Sequence, residues 1–127
     1  PGNLSGTETI LIVEDNEQVR NLTLAILKQR GYSVLVAENG SKALELLETY
    51  EGQLHLLLTD VIMPGINGRE LYDHITESYP GIKVLYMSGY SNDVIAHHSV
   101  IEAGVNFIQK PFSAQVLASK VRKVLLN

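Results

Sequence analysis

Four short motifs stand in order along this chain, each where an apolar run ends. Glu14-Asp15 follows Ile10-Leu11-Ile12-Val13, and Asp60 follows Leu56-Leu57-Leu58-Thr59. Ser88-Gly89 follows Val84-Leu85-Tyr86-Met87, and Lys110-Pro111 follows Phe107-Ile108-Gln109. Together they offer three carboxylates, one hydroxyl and one ammonium. That inventory suits binding a divalent metal and moving a phosphoryl group onto an aspartate. An ionised carboxylate is a competent nucleophile when held in line with phosphorus. Crowded carboxylates repel one another, and Mg²⁺, a hard ion taking oxygen ligands, is the natural counter-charge. A lysine and a hydroxyl can meet phosphoryl oxygens. Phosphoryl transfer is mostly positioning plus charge neutralisation, so a small set suffices.

The elements carrying these residues must bring them together. Residues 9–13 predict a strand. Asn16 can cap a helix running to about Arg30, with apolar Val19, Leu22, Ile26 and Leu27, and Gly31 stops it. Residues 33–37 predict a second strand. Asn39-Gly40 turns the chain, and Ser41 opens a helix with Ala43, Leu44 and Leu47 on one face. Residues 54–59 form a near-continuous apolar run, the mark of a strand buried on both faces. A loop with Pro64, Gly65 and Gly68 as breakers leads to a third helix at residues 68–78, with Leu71 and Ile75 inward, and Pro80-Gly81 ends it. Residues 83–87 predict a fourth strand. Asn92 or Asp93 begins a fourth helix that Ala103-Gly104 closes. Residues 105–109 predict a fifth strand, and Ser113 caps a last helix bearing Val116, Leu117, Val121, Val124 and Leu125.

Repeated βα units imply a parallel sheet with helices on both faces. Open sheets of this kind bind ligands outside the carboxyl ends of their strands. All four motifs fall at those ends.

Composition narrows the function further. A chain of 127 residues fits one domain, and 45% hydrophobic against 19% charged residues suits an ordinary core rather than disorder. The net charge of −4 and the scattered Lys and Arg argue against a nucleic-acid footprint. The absence of cysteine excludes disulfides and thiolate metal sites, and fits a cytoplasmic location. No apolar stretch approaches the ~20 residues of a membrane span. Residues 1–6 are small and polar, unlike a signal peptide, and read as a linker or expression remnant ahead of a domain at residues 7–127.

The strings Ile12-Val13-Glu14-Asp15-Asn16, Thr59-Asp60-Val61-Ile62-Met63-Pro64-Gly65-Ile66-Asn67-Gly68, Met87-Ser88-Gly89-Tyr90 and Phe107-Ile108-Gln109-Lys110-Pro111-Phe112 carry a resemblance. From about Thr7 to Leu126 the chain resembles the receiver domain of two-component response regulators. The stretches ending at Tyr90 and at Phe112 are similar to receivers attached to hybrid sensor histidine kinases. The resemblance implies a flavodoxin-like receiver fold, a doubly wound α/β domain with a five-stranded parallel sheet in the order 2-1-3-4-5. It implies Asp60 as phosphoacceptor. Asp15 and Asp60 would ligate Mg²⁺ directly, with the Ile62 backbone carbonyl as a further ligand and Glu14 acting largely through water. The first acid is Glu rather than Asp, a variation the family shows. Lys110 and Ser88 would take phosphoryl oxygens, helped by backbone N–H groups near Ile62 and Gly89. A cis bond is expected before Pro111, although few X–Pro bonds are cis in folded proteins.

The resemblance also implies a switch. Phosphorylation would draw Ser88 toward the phosphoryl oxygens, and Phe107 would fill the space left behind, reshaping the face of the fourth helix, fifth strand and last helix. Ile62 and Tyr90 occupy positions that vary in the family, and both are poorly suited to orienting water. Slow loss of phosphate is therefore expected. The donor would be a phosphohistidine domain of a sensor kinase or phosphotransfer protein, docking over the first helix near Asn16, Val19 and Arg20. A monomer or a weak, phosphorylation-dependent dimer is expected. The isolated domain would catalyse only its own phosphorylation and dephosphorylation, whether it is a piece of a hybrid histidine kinase or a free single-domain regulator.

Plainer readings stand beside these. A lone Asp most often begins a turn, acids favour helix N-termini, and a lysine is usually solvated. His97 and His98 are adjacent and do not share a helix face, so a two-His metal site there is disfavoured. An aspartate-nucleophile phosphatase of the haloacid-dehalogenase type wants a second acid two residues after the nucleophile, where this chain has Ile62. A flavodoxin-like cofactor site wants a glycine- and hydroxyl-rich loop after strand one, where Glu14-Asp15-Asn16-Glu17 would repel phosphate. A degenerate receiver serving as a constitutive protein-binding module is the remaining alternative.

Overall fold

The computed structural model describes residues 5–89 and 106–127. Five strands form one sheet: β1 (Thr9–Val13), β2 (Ser33–Ala37), β3 (Leu56–Asp60), β4 (Lys83–Ser88) and β5 (Phe107–Gln109). Their order is β2-β1-β3-β4-β5, and every pairing is parallel. The expected doubly wound sheet is thus observed. Side chains alternate between its faces, and each face has its own core. Leu11, Val13, Leu57, Val84 and Tyr86 pack on one side with Ala43, Leu71 and Ile75. Ile10, Ile12, Leu56, Leu58, Leu85 and Met87 pack on the other with Ile26, Leu27, Leu117 and Val121. Burial on both faces explains why β1, β3 and β4 read as unbroken apolar runs.

The helices are α1 (Glu17–Gln29), α2 (Gly40–Thr49), α3 (Gly68–Ser78) and α4 (Ala114–Leu126). Each starts on a side-chain cap. Asn16, Asn39, Asn67 and Ser113 accept from the backbone N–H of Val19, Lys42, Glu70 and Val116 respectively. Asn67 and Glu70 complete a reciprocal capping box. After α1, Gly31 adopts φ +98°, a conformation glycine tolerates best.

Several boundaries differ from expectation. Asn39 caps α2 rather than preceding it in a turn, so the helix begins at Gly40 and not at Ser41. β3 runs to Asp60, and β4 runs to Ser88, because Asp60 registers with Met87 and Ser88 with Gln109. The phosphoacceptor candidate and the hydroxyl thus belong to the sheet ends. Leu22 and Val116 were expected on apolar faces but are 55% and 52% exposed. Thr23 takes a buried place on α1, its hydroxyl donating to the Val19 carbonyl at 2.7 Å. The expected fourth helix, Tyr90, His97, His98 and the start of the predicted fifth strand lie outside the described residues.

The segment before β1 packs on the domain. Gly6 N–H donates to the Arg30 carbonyl at 3.0 Å. Arg122 on α4 donates to the Ser5 carbonyl at 3.1 Å, to both Glu8 carboxylate oxygens and to the Tyr32 hydroxyl.

Candidate functional site

The carboxyl ends of β1, β3 and β5 place Glu14, Asp60 and Lys110 in contact. Lys110 Nζ donates to Glu14 Oε1 at 2.9 Å and to Asp60 Oδ1 at 2.7 Å. Its own N–H donates to the Ser88 carbonyl at 2.8 Å, which ties the end of β5 to the end of β4. Glu14 and Asp60 are buried, whereas Asp15 is exposed. Glu14, Asp15 and Asp60 each offer a carboxylate oxygen, all within 4.8 Å of one another. The peptide bond before Pro111 is cis, as the sequence resemblance implied.

Electrostatics distinguish the two buried acids. Burial, with the Glu14 carboxylate alongside, pushes Asp60 up to about 8 against the opposing pull of Lys110. Burial acts on Glu14 in the same direction. However, the Asp60 side chain beside it, the Asn16 N–H and Lys110 together outweigh it and hold Glu14 below the usual carboxylate range. The hydrogen bonds explain the asymmetry. Both Glu14 oxygens have donors, Lys110 on Oε1 and Asn16 N–H on Oε2 at 3.0 Å. Among the described residues, the buried Asp60 Oδ2 has no hydrogen-bond partner. Burial also disfavours the Lys110 charge, but the two carboxylates prevail and raise its pKa.

An orphaned carboxylate oxygen is costly in a protein interior and points to a missing positive or donating group. Among the described residues, the possible metal ligands grouped there are carboxylate oxygens, with no sulfur or imidazole. Such a set fits a hard divalent cation.

The other expected residues gather at the same end with distinct surroundings. Ser88 is buried at the end of β4, and Gly89 beside it is half-buried. Phe107 is partly buried and packs on the core face that contains Tyr86, its register partner on β4. Ile62 is 51% exposed on the loop after β3.

Sequence reasoning missed the contacts that hold these groups in place. Arg20 Nη1 donates to the Glu14 carbonyl at 2.9 Å, so its guanidinium serves the β1–α1 loop. The Thr59 hydroxyl donates to the Asp60 carbonyl at 3.1 Å. A Cβ at Gly68 would lie 2.2 Å from the Asp60 carbonyl oxygen, so glycine is what lets α3 approach the end of β3. Gly68 had a visible signal as a loop breaker, but the atom it approaches is set by tertiary packing.

Comparison with known proteins agrees with this geometry. Residues 10–122 match the response regulator receiver domain family. The chain is 38% identical over 122 residues to sensor kinase CckA of Brucella abortus, covering 96% of this chain but 13% of that protein. It is 32% identical over 117 residues to the response regulator receiver protein CpdR of the same organism, covering 92% and 96%. A CheY-like receiver domain protein from Methanospirillum hungatei superposes with a TM-score of 0.79 at 28% identity, covering 94% of each chain. This chain belongs to the receiver domain family of two-component signalling. Acidic pockets that bind Mg²⁺ and contact with histidine kinases or phosphotransfer proteins are general in that family. Among the described residues, no helix is long and apolar enough to cross a membrane.

Proposed function

We propose that Asp60 is the phosphoacceptor of a phosphorelay and takes its phosphoryl group from a phosphohistidine. The observation that carries this reading is the asymmetry of Asp60. Lys110 holds Oδ1 at 2.7 Å, while Oδ2 is buried and unpartnered. One oxygen is oriented, and the other keeps its lone pairs for attack. In the transfer, an Asp60 oxygen forms the new O–P bond as the P–N bond to the donor imidazole breaks. The bonding electron pair returns to the imidazole nitrogen, and Asp60 becomes an acyl phosphate. Lys110 meets one phosphoryl oxygen and the Ser88 hydroxyl another, with the Gly89 N–H nearby.

Glu14, Asp15 and Asp60, with the Ile62 carbonyl, are the groups that would hold Mg²⁺. When bound, Mg²⁺ would neutralise the carboxylates and the transferring phosphoryl charge. Glu14 has both oxygens already engaged, which supports its acting through water rather than as a direct ligand. Phe107 is the proposed switch, following Ser88 as it moves toward the phosphoryl group. By residue type Ile62 and Tyr90 are poorly suited to orienting an attacking water, which supports a long-lived acyl phosphate. A shorter lifetime in the Ile62→Asn, Tyr90→Glu double variant would bear this out, and an unchanged one would refute it.

The likeness to CckA supports a receiver excised from a hybrid sensor kinase, and that to CpdR supports a single-domain regulator. We favour the hybrid kinase, because the CckA identity is higher and the motif wording matches such receivers. In that setting the domain boundary falls near residue 7, the domain is cytoplasmic, and it is a monomer or a weak dimer. The donor helices dock over α1 near Asn16 and Val19.

The test is incubation with acetyl phosphate, with and without Mg²⁺, read by intact mass. A Mg²⁺-dependent phosphoryl adduct that disappears in Asp60→Asn is the expected result. No adduct would instead favour a constitutive binding module.

A further inference from the structure

We propose that Arg20 is a positioning residue for the acidic pocket rather than a donor-docking residue. The inference rests on the phosphoacceptor reading above and on the geometry of one loop. β1 ends at Val13, and α1 begins at Glu17, so three residues must turn the chain and present two acids. The backbone on both sides of Asp15 is fixed. The Glu14 N–H donates to the Ala37 carbonyl at 3.1 Å, and the Glu14 carbonyl accepts Arg20 Nη1 at 2.9 Å. The Asn16 N–H donates to Glu14 Oε2 at 3.0 Å, and the Asn16 side chain caps α1 on Val19. Asp15 has exposed surface and no such contact of its own, so its direction follows from the backbone around it.

Arg20 is the one side chain in that set reaching the loop from the body of α1, one turn in. Its N–H occupies the Glu14 backbone carbonyl, at the base of a pocket of three acids. A guanidinium committed in this way, on a half-buried residue, is oriented toward the pocket. Groups that orient metal-binding carboxylates from behind are worth on the order of tenfold or more in metal affinity. Arg20 should therefore set Mg²⁺ affinity and the rate with any phosphodonor, however small.

A docking residue and a positioning residue differ in one measurable respect. Acetyl phosphate needs no protein docking surface, so loss of a docking contact leaves its reaction unchanged. The experiment compares wild type, Arg20→Ala, Arg20→Lys and Arg20→Gln. Mg²⁺ affinity is measured by calorimetry, and adduct formation from acetyl phosphate by intact mass. Circular dichroism monitors folding. Arg20→Ala should weaken Mg²⁺ binding by roughly tenfold and slow the acetyl phosphate reaction, and Arg20→Lys should recover part of both. If Arg20→Ala does not fold, Arg20→Gln, which keeps a donor and drops the charge, is judged on the same two readouts. Wild-type Mg²⁺ affinity and acetyl phosphate rate in the folded variant would overturn the proposal, even if transfer from a phosphohistidine protein fell. A wild-type protein that binds Mg²⁺ but forms no adduct would refute the phosphoacceptor reading, while the titration would still decide the role of Arg20.

Discussion

Lys110 holds Asp60 by one oxygen only: its ammonium lies 2.7 Å from Oδ1, and the buried Oδ2 has no hydrogen-bond partner among the described residues. The same ammonium binds Glu14 at 2.9 Å, so a single cation faces two buried acids. The site is short of positive charge, and burial leaves Asp60 raised to about 8. This deficit gives the pocket a measurable dependence on added cation.

Removing Lys110 makes the deficit worse. Lys110→Ala should destabilise the domain by about 3 kcal/mol in EDTA, the usual cost of stripping one partner from a buried ion pair. Mg²⁺ should restore part of that loss. The acetyl phosphate reaction should slow on the order of a hundredfold even with Mg²⁺ present, because a positioned donor is gone from the transferring group. Denaturant melts and mass kinetics measure the two effects separately. A variant as stable as wild type in EDTA would contradict the ion-pair geometry.

Asp60→Asn should do the opposite for stability. An amide removes one buried acid and can still accept from Lys110. At pH 8 in EDTA the variant should unfold later than wild type, by roughly 1–3 kcal/mol, because the neutral amide removes a buried negative charge beside Glu14 while keeping an acceptor for Lys110. Its stability should also respond less to Mg²⁺. Equal midpoints with and without the substitution would mean that Asp60 carries no burial cost.

Glu8 and Arg122 provide a pH-dependent contact far from the pocket. The hydrogen bond from Arg122, opposed by burial, holds Glu8 down at about 2. A depressed carboxyl binds fewer protons when folded than when unfolded. Its contribution is therefore complete above about 4.5 and is lost as pH falls toward about 2. Because the pair is partly solvated, that contribution is about 1 kcal/mol at most. Glu8→Gln should flatten the stability profile across this window and leave it unchanged at neutral pH apart from a constant offset. A profile parallel to wild type down to pH 2 would refute the contact.

Gly68 and Gly81 make a controlled pair. An added Cβ at Gly68 meets the Asp60 carbonyl oxygen at 2.2 Å, whereas one at Gly81 meets nothing within 4 Å. Gly68→Ala should cost about 1–3 kcal/mol and displace the end of β3, lowering phosphorylation as well. Gly81→Ala should be neutral, or stabilise by up to about 1 kcal/mol through a less flexible unfolded chain. Urea melts of both variants, with adduct yield, check the contrast.

Much of the fold was legible because the signals were local. Continuous apolar runs marked β1, β3 and β4, and Asn16 and Ser113 marked two helix starts, since a cap works over three residues; the caps Asn39 and Asn67 were not read as such. The four motifs sat at strand ends, and parallel topology had to gather those ends on one side. Exposure of Leu22 and Val116 was not legible, because a helix whose period is apolar still needs a neighbour to cover each position. Nor were the contacts of Arg20 or the approach of Gly68 to Asp60. Residue types and order by themselves determined the sheet, the family and the chemical inventory, because periodicity and caps act along the chain. Only the tertiary structure decided that Lys110 spans Glu14 and Asp60, and that Asp60 Oδ2 is left bare. Those relations join residues 50 and 96 positions apart and depend on distances of a few ångströms, which no local pattern encodes.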